Sequence, residues 1–557
     1  MALELYQTSS LNKTLMDSAN PPLPLNKMSC LKGEEVSYQI VTRFNYDDVY
    51  KVFMSINVDS ILSECITVRE VGQVPCELPA YIRTPADREN DCYISTKPGL
   101  YPDPLFEIRD NTVELIPNYF RSFWITIKTD ENTPVGVHPI NIKFESKEFN
   151  IDSEVKFELE VIDAKLPQQE LIVTQWFHSD CLADYYQCEV FSEKHWSIIE
   201  KFIKTAVENG INMILTPVFT PPLDTEVGGE RPTVQLVDIF KSGDRYLFNF
   251  DKLKKWVEMC KRNGVKYYEV SHLFTQWGAN FAPKIVVNEN GQETKKFGWH
   301  TAADDPEYVE FLNQFLPKLR GFFEAEKVSD NVYYHISDEP HLPDKESYKR
   351  ARNIVSPLLE GCKILDACST FEFYSEKLVD IPAIVLYKIK PFIDAGVRKM
   401  WTYYCGTDCK EVSNRFIAQK SLFNRIIALQ LYKYDAVGFL QWGYNFYYSQ
   451  LSKELIDPFL TTDSRNAFPS GDAFSVYPGK NGVIESLRLK VFKEALQDLS
   501  ALKLLEKCMP KDKIIELIER EAGCEIEFDQ FPKNEEFILN LREKINLIIK
   551  ESSLINC

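Results

Sequence analysis

Between Leu171 and Trp442 the chain alternates short apolar runs with amphipathic stretches of helical period. No other feature restricts the fold as much. A strand followed by a helix and then another strand returns parallel to the first, and parallel strands are buried on both faces. Eight runs fit this rhythm: Leu171 to Phe177, Met213 to Val218, Tyr267 to Leu273, Val332 to Ile336, Ile364 to Ala367, Ile384 to Tyr387, Met400 to Tyr404, and Val437 to Trp442. Stretches such as Trp196 to Ile203 and Tyr308 to Leu316 lie between them and repeat apolar residues at helical spacing. Eight βα units predict a (β/α)8 TIM barrel over residues 166–508. Such a barrel does its chemistry in the loops that follow the strands.

The flanks read differently. Residues 1–165 carry short alternating runs, among them Val36 to Val41, Tyr50 to Ile56, Phe120 to Ile127, His138 to Phe144 and Val155 to Val161. Turn residues separate them, which predicts an immunoglobulin-like β-sandwich. Its expected role is to pack on the barrel and shape one wall of the cleft. Ala164 to Gln169 reads as the linker. Residues 509–557 repeat apolar positions at helical spacing and predict a C-terminal helical segment. The fold class is therefore multidomain, and 557 residues are ample for these units.

Composition narrows the partners. Formal net charge is −18, which disfavours phosphate backbones and anionic lipid. No run reaches the ~18 apolar residues that a membrane helix needs. The start, Met1 to Gln7, lacks the basic and apolar blocks of a signal peptide, so a cytoplasmic location is expected. The 14 cysteines show no doubled metal spacing and read as free thiols in a reducing compartment. With 7 His and no His-Glu-x-x-His, neither a metal site nor a cofactor is expected. Glycine-rich phosphate loops and a Gly-x-Ser-x-Gly elbow are also missing, which speaks against nucleotide and serine-hydrolase chemistry.

The chemistry concentrates at Asn331 to His341. An apolar run ends there in Ser337-Asp338-Glu339-Pro340. Pro340 cannot give a ladder hydrogen bond, so the strand stops, and its ring is expected to keep Glu339 extended. Two adjacent acids in a shielded site raise each other's proton affinity, and a glycosidase needs a protonated acid at the leaving oxygen. The plain alternative is a surface turn with one acid capping the next helix. Consecutive strand residues point to opposite faces, so both acids can address one ligand only if the backbone bends between them. Such neighbours suit a scheme in which a substrate's 2-acetamido oxygen attacks its own anomeric carbon. One acid then orients the acetamido N–H and the other acts as general acid.

Polar and aromatic residues cluster at the other strand ends. Candidate sugar-binding residues are His178, His272, Trp277, Trp299, His335, Tyr403, Trp442 and Asn445. A single His or Trp at such a position is usually structural. A ring of them makes a cleft with flat faces and convergent polar groups.

At this point the chain resembles glycoside hydrolase family 123, the β-N-acetylgalactosaminidases, and their domain-of-unknown-function 4091 relatives. The resemblance rests on His335 to Pro340, Met400 to Tyr404, Asn424-Arg425, Gly438 to Asn445, Tyr477-Pro478-Gly479, Ser486-Leu487-Arg488 and Gln497-Asp498. It implies retaining, substrate-assisted removal of terminal β-linked N-acetylgalactosamine from an amino-sugar glycan. In that scheme Glu339 is the general acid/base and Asp338 orients the acetamido group. Tyr403, Trp442 and Asn445 match the family by segment. Two rivals stand beside it. One is a two-carboxylate glycosidase whose partner acid lies on another strand, such as Glu269 or Asp366. The other is a non-catalytic glycan-binding protein on a decayed barrel.

Overall fold

A computed structural model describes residues 2–82, 84, 86–87 and 90–555, with side chains to residue 552. Its centre is a closed barrel of eight parallel strands. In order they are Ile172–Gln175, Met213–Thr216, Tyr267–Val270, Val332–Tyr334, Lys363–Ala367, Ile381–Val385, Trp401–Tyr403 and Gly438–Gln441. The eighth strand closes on the first in register, from Ile172 opposite Gly438 to Gln175 opposite Gln441. Each of the eight expected runs overlaps a strand. The sixth starts earlier than expected, near Pro382, and Leu386–Lys388 turns into a 3-10 helix. A proline close to the start of a strand forfeits little of the ladder.

Large apolar side chains fill the barrel interior. Met213, Leu215, Tyr333, Leu365, Ala383, Trp401 and Leu440 pack together there. Trp401 fits because Gly438 faces it from the neighbouring strand: a Cβ at Gly438 would sit 2.1 Å from the indole. One structure lies outside the expected plan and packs on the helix Pro306–Ala325 through Tyr246 and Phe248. It is a four-stranded sheet of Asp238–Ser242, Arg245–Asn249, Ile285–Glu289 and Gln292–Phe297, built from the chain after the second and third barrel strands. Asn290 and Gly291, both at positive φ, make the two-residue turn of its second hairpin.

The N-terminal region is a sandwich of two five-stranded sheets. Tyr38 of one sheet stacks on Phe157 of the other at 3.9 Å, in a core shared by both inner faces. The outer face of the first sheet is also apolar. Val71, Val74, Tyr101, Leu105 and Trp124 join the apolar cluster of the barrel and its helices. A buried ion pair fixes this junction. Arg488, on the helix Leu487–Leu505, grips both oxygens of Asp103 at 2.9 and 2.8 Å, and Tyr477 donates to the same carboxylate. The last helix, Glu535–Ile555, ties the two units again. Its Arg542 reaches Glu34 of the sandwich and Asp498 of the preceding long helix. No described helix is long and apolar enough to cross a membrane.

Candidate active site

The fourth barrel strand ends at Tyr334, but its chain stays bound to both neighbours as it leaves the barrel. Leu273 and Phe274 donate to the carbonyls of His335 and Ile336. The amides of Ile336 and Ser337 donate to Asp366 Oδ1 at 2.8 and 3.3 Å. Trp277 N–H then holds the Asp338 carbonyl at 2.9 Å, and Glu339 N–H donates to the Ala367 carbonyl at 3.0 Å. Between these anchors the backbone reverses. Glu339 has φ +44°, so the residue expected to be extended is left-handed instead. A following proline excludes the right-handed helical region, and the left-handed one remains open to it when neighbouring bonds hold it there. This bend turns two consecutive side chains into one hollow.

That hollow has a volume of about 210 Å3. Asp338 and Glu339 line it with Trp277, Tyr403, Trp442, Asp224, Gln276, Asp472 and Tyr81 among others. Tyr403 donates to Glu339 Oε1 from the end of the seventh strand. Trp442 is held by its indole N–H, which donates to Asp472 Oδ2 at 3.0 Å. Tyr81 comes from the sandwich and donates to the Ala467 carbonyl at 2.6 Å. The sandwich thus forms part of the cleft wall.

Beneath the acids lies a buried polar cluster. His335 Nε2 is 2.9 Å from Glu269 Oε1, and its Nδ1 is 3.6 Å from Asp366 Oδ1. Thr174 and the Trp176 indole also donate to Glu269, and Tyr348 donates to Asp366. Burial alone pulls the imidazole down, but the two carboxylates win and hold His335 up at about 9. His272 stacks on it at 4.5 Å and is driven well below the usual range, first by burial and then by the charge of His335. Asp338 is pushed well above the carboxylate range by burial and by Glu339, with His335 opposing. Asp224 and Asp472 are each raised to about 6, again chiefly by burial.

Of the candidate sugar-binding residues, Trp277, Tyr403 and Trp442 reach the cavity. His335 and His272 sit beneath it, fully buried. His178, Asn445 and Trp299 do not line it. His178 receives a bond from Arg231 and contacts the Trp442 carbonyl; Arg231 itself is clamped on Asp180. Asn445 bonds both the N–H and the C=O of His178, which latches the ends of the first and eighth strands. Trp299 packs edge-on against Phe281. The hydrogen bonds of His178 and Asn445 are thus directed to protein, and Trp299 is half-buried away from the cavity lining. Glu269 and Asp366, the partner acids of the two-carboxylate rival, are completely buried and bound within the cluster. Sequence reasoning did not single out Asp224, Gln276, Asp472 or Tyr81. Among the described residues, no group of three or more His, Cys, Asp or Glu could hold a metal ion.

Residues 176–505 match the family model described as Glycoside hydrolase 123, catalytic domain. The whole fold is similar to that of a family 123 glycoside hydrolase from Clostridium perfringens, solved in a study of glycolipid glycan hydrolysis. Identity is 17%, the TM-score is 0.73, and the match covers 99% of this chain and 98% of that one. Far weaker is the likeness to an endo-β-1,4-mannanase from Thermotoga petrophila, with 12% identity, 60% and 77% coverage and a TM-score of 0.34. Among curated proteins none matches by sequence.

Proposed function

Because the chain belongs to glycoside hydrolase family 123, we propose that it removes terminal β-linked N-acetylgalactosamine from glycans by retaining, substrate-assisted hydrolysis. The substrate class is suggested by the Clostridium perfringens relative and its link to glycolipid glycans. One observation carries the reading: the left-handed turn at Glu339 directs two neighbouring carboxylates into a single sugar-sized hollow.

In this mechanism Asp338 accepts the acetamido N–H and turns the acetamido oxygen toward the anomeric carbon. The N–H supplies a donor to a carboxylate that burial and Glu339 disfavour, and so favours its anionic form. The acetamido oxygen forms a bond to C1 while the bond from C1 to the leaving oxygen breaks. Glu339, held by Tyr403, gives its proton to that oxygen. Water then attacks C1 from the vacated face, Glu339 takes the water's proton, and the ring intermediate opens with retained configuration. The wall of Trp277 and Trp442 offers flat apolar surfaces for the sugar. The engagement of Glu269 and Asp366 below the floor counts against their serving as the second acid of a two-carboxylate enzyme.

The test is turnover of aryl β-N-acetylgalactosaminides by the wild type, Glu339→Gln and Asp338→Asn. Both variants should lose about 10²–10⁴-fold in kcat. An activated leaving group should partly restore Glu339→Gln and leave Asp338→Asn unimproved. A thiazoline mimic of the cyclised intermediate should inhibit the wild type. Sugar binding without turnover would support the lectin-like rival; turnover insensitive to the thiazoline would remove substrate assistance.

A further inference from the structure

In the proposed mechanism Glu339, with Tyr403 beside it, serves the leaving group. Asp338 serves the sugar ring, and Asp224 is among the charges acting on it. Asp224 and Gln276 are two further acceptors that line the same cavity. The Asp224 backbone is left-handed, with φ +38°. Leu451 N–H donates to its Oδ2 at 3.0 Å, and Ser452 donates to its carbonyl at 2.6 Å. Both clips come from the loop after the eighth strand, and they fix the carboxylate in the cavity wall. The Gln276 side chain is only 4% exposed. Its Nε2 donates to the Thr225 carbonyl at 3.1 Å, which leaves Oε1 with no hydrogen-bond partner. Trp277, the next residue, is pinned to the Asp338 carbonyl.

A buried amide oxygen without a donor is costly, and so is a left-handed aspartate. Both residues line the cavity, where such costs call for an explanation, and contact with a ligand supplies one. We propose that Asp224 and Gln276 form a hydroxyl-accepting edge that binds ring hydroxyls of the terminal hexosamine and sets which hexosamine is accepted. Both offer acceptors, so the ligand groups they select are O–H donors. Epimeric sugars differ in where one such donor points, and a fixed acceptor discriminates between them far better than an apolar wall. This inference rests on the hydrolase reading given above.

The experiment pairs enzyme variants with substrate variants. Wild type, Asp224→Ala and Gln276→Leu are assayed on an aryl β-N-acetylgalactosaminide and on its 3-deoxy, 4-deoxy and 6-deoxy analogues. Each variant should lose about 10–150-fold in kcat/KM on the parent. That loss should shrink to under about threefold on the analogue lacking the bound hydroxyl, since the deleted partners then coincide. Gln276→Leu leaves the Leu451 and Ser452 clips in place, so it remains informative if Asp224→Ala folds poorly. An equal loss on the parent and on every analogue, with the wild type active, overturns the assignment alone. A wild type inactive on all four substrates overturns the hydrolase reading and this edge with it.

Discussion

Tyr403→Phe isolates the group that acts on the proposed general acid. The variant keeps the ring in the wall and removes only the hydroxyl that donates to Glu339 Oε1. A hydrogen bond to a charged group contributes about 1.5–3 kcal/mol, which corresponds to roughly 10–150-fold in rate. A second contact of that hydroxyl, from Ser369 Oγ at 3.5 Å, is long and adds little. The assay is kcat/KM across aryl β-N-acetylgalactosaminides whose phenols span a wide range of acidity. Poor leaving groups depend on proton donation, so they should show the full loss. Activated ones leave unaided and should show little. The dependence of log kcat/KM on phenol acidity should therefore steepen in the variant. A loss of the same size for every leaving group would refute the reasoning, because Tyr403 would then act on sugar binding and not on Glu339.

Two further outcomes test the supports of the site. His335 is held at about 9 against an unfolded value near 6.5. A histidine raised in this way contributes stability that is fully present below pH ~6.5 and is lost as pH rises through ~9; at 1.36 kcal/mol per unit it is worth about 3 kcal/mol. Urea denaturation of the wild type should weaken by that order over this window, and His335→Gln should lack the His335 component; parallel profiles would contradict a charged His335. At the domain junction, Asp103→Ala strands the Arg488 guanidinium in a fully buried position. Breaking one side of a buried pair costs about 3–5 kcal/mol. Arg488 also donates to the Gly471 carbonyl, next to the Asp472 that holds Trp442, so KM should rise as stability falls. A change under about 1 kcal/mol with KM unaltered would show the junction to be dispensable.

Much of the barrel was legible because each strand is a short apolar run bounded by a helical period, a local signal. The four-stranded sheet was missed although Asn290-Gly291 is a strong hairpin turn, since Gln292–Phe297, one arm of that hairpin, is polar and largely exposed and shows no apolar alternation. The acid pair was legible through Pro340. Its conformation was not, because proline bars one region of backbone space and only the bonds to Trp277 and Ala367 choose among the rest. Strand-end residues look alike in sequence whether they face the cavity, as Tyr403 does, or a neighbouring loop, as His178 and Asn445 do. Tyr81 and Asp472 had no local signal. Tyr81 meets its partner across 386 residues of sequence, and Asp472 lies in an irregular loop where only the folded chain brings it under Trp442.

The distribution of charge around the hollow argues for the kind of ligand it accepts. Asp224, Asp338, Glu339 and Asp472 all line it. The cations that answer them stand behind the wall: His335 between two carboxylates, Arg231 clamped on Asp180, and Arg415 bound to Gln175, Gln441 and the Gly443 carbonyl. All three are buried, and none of them lines the cavity. An anionic ligand would meet four carboxylates and no free cation among the described lining residues, and removing it from water would cost several kcal/mol without return. A neutral sugar bearing hydroxyl and amide N–H donors reverses the balance, because it brings donors to the carboxylates of the wall without a charge that they repel. The same arrangement explains why the acids tolerate one another. His335 lowers the cost of charge on Asp338 from below; in the proposed mechanism the ligand's N–H does so from above, which would couple ionisation of Asp338 to the presence of an acetamido group.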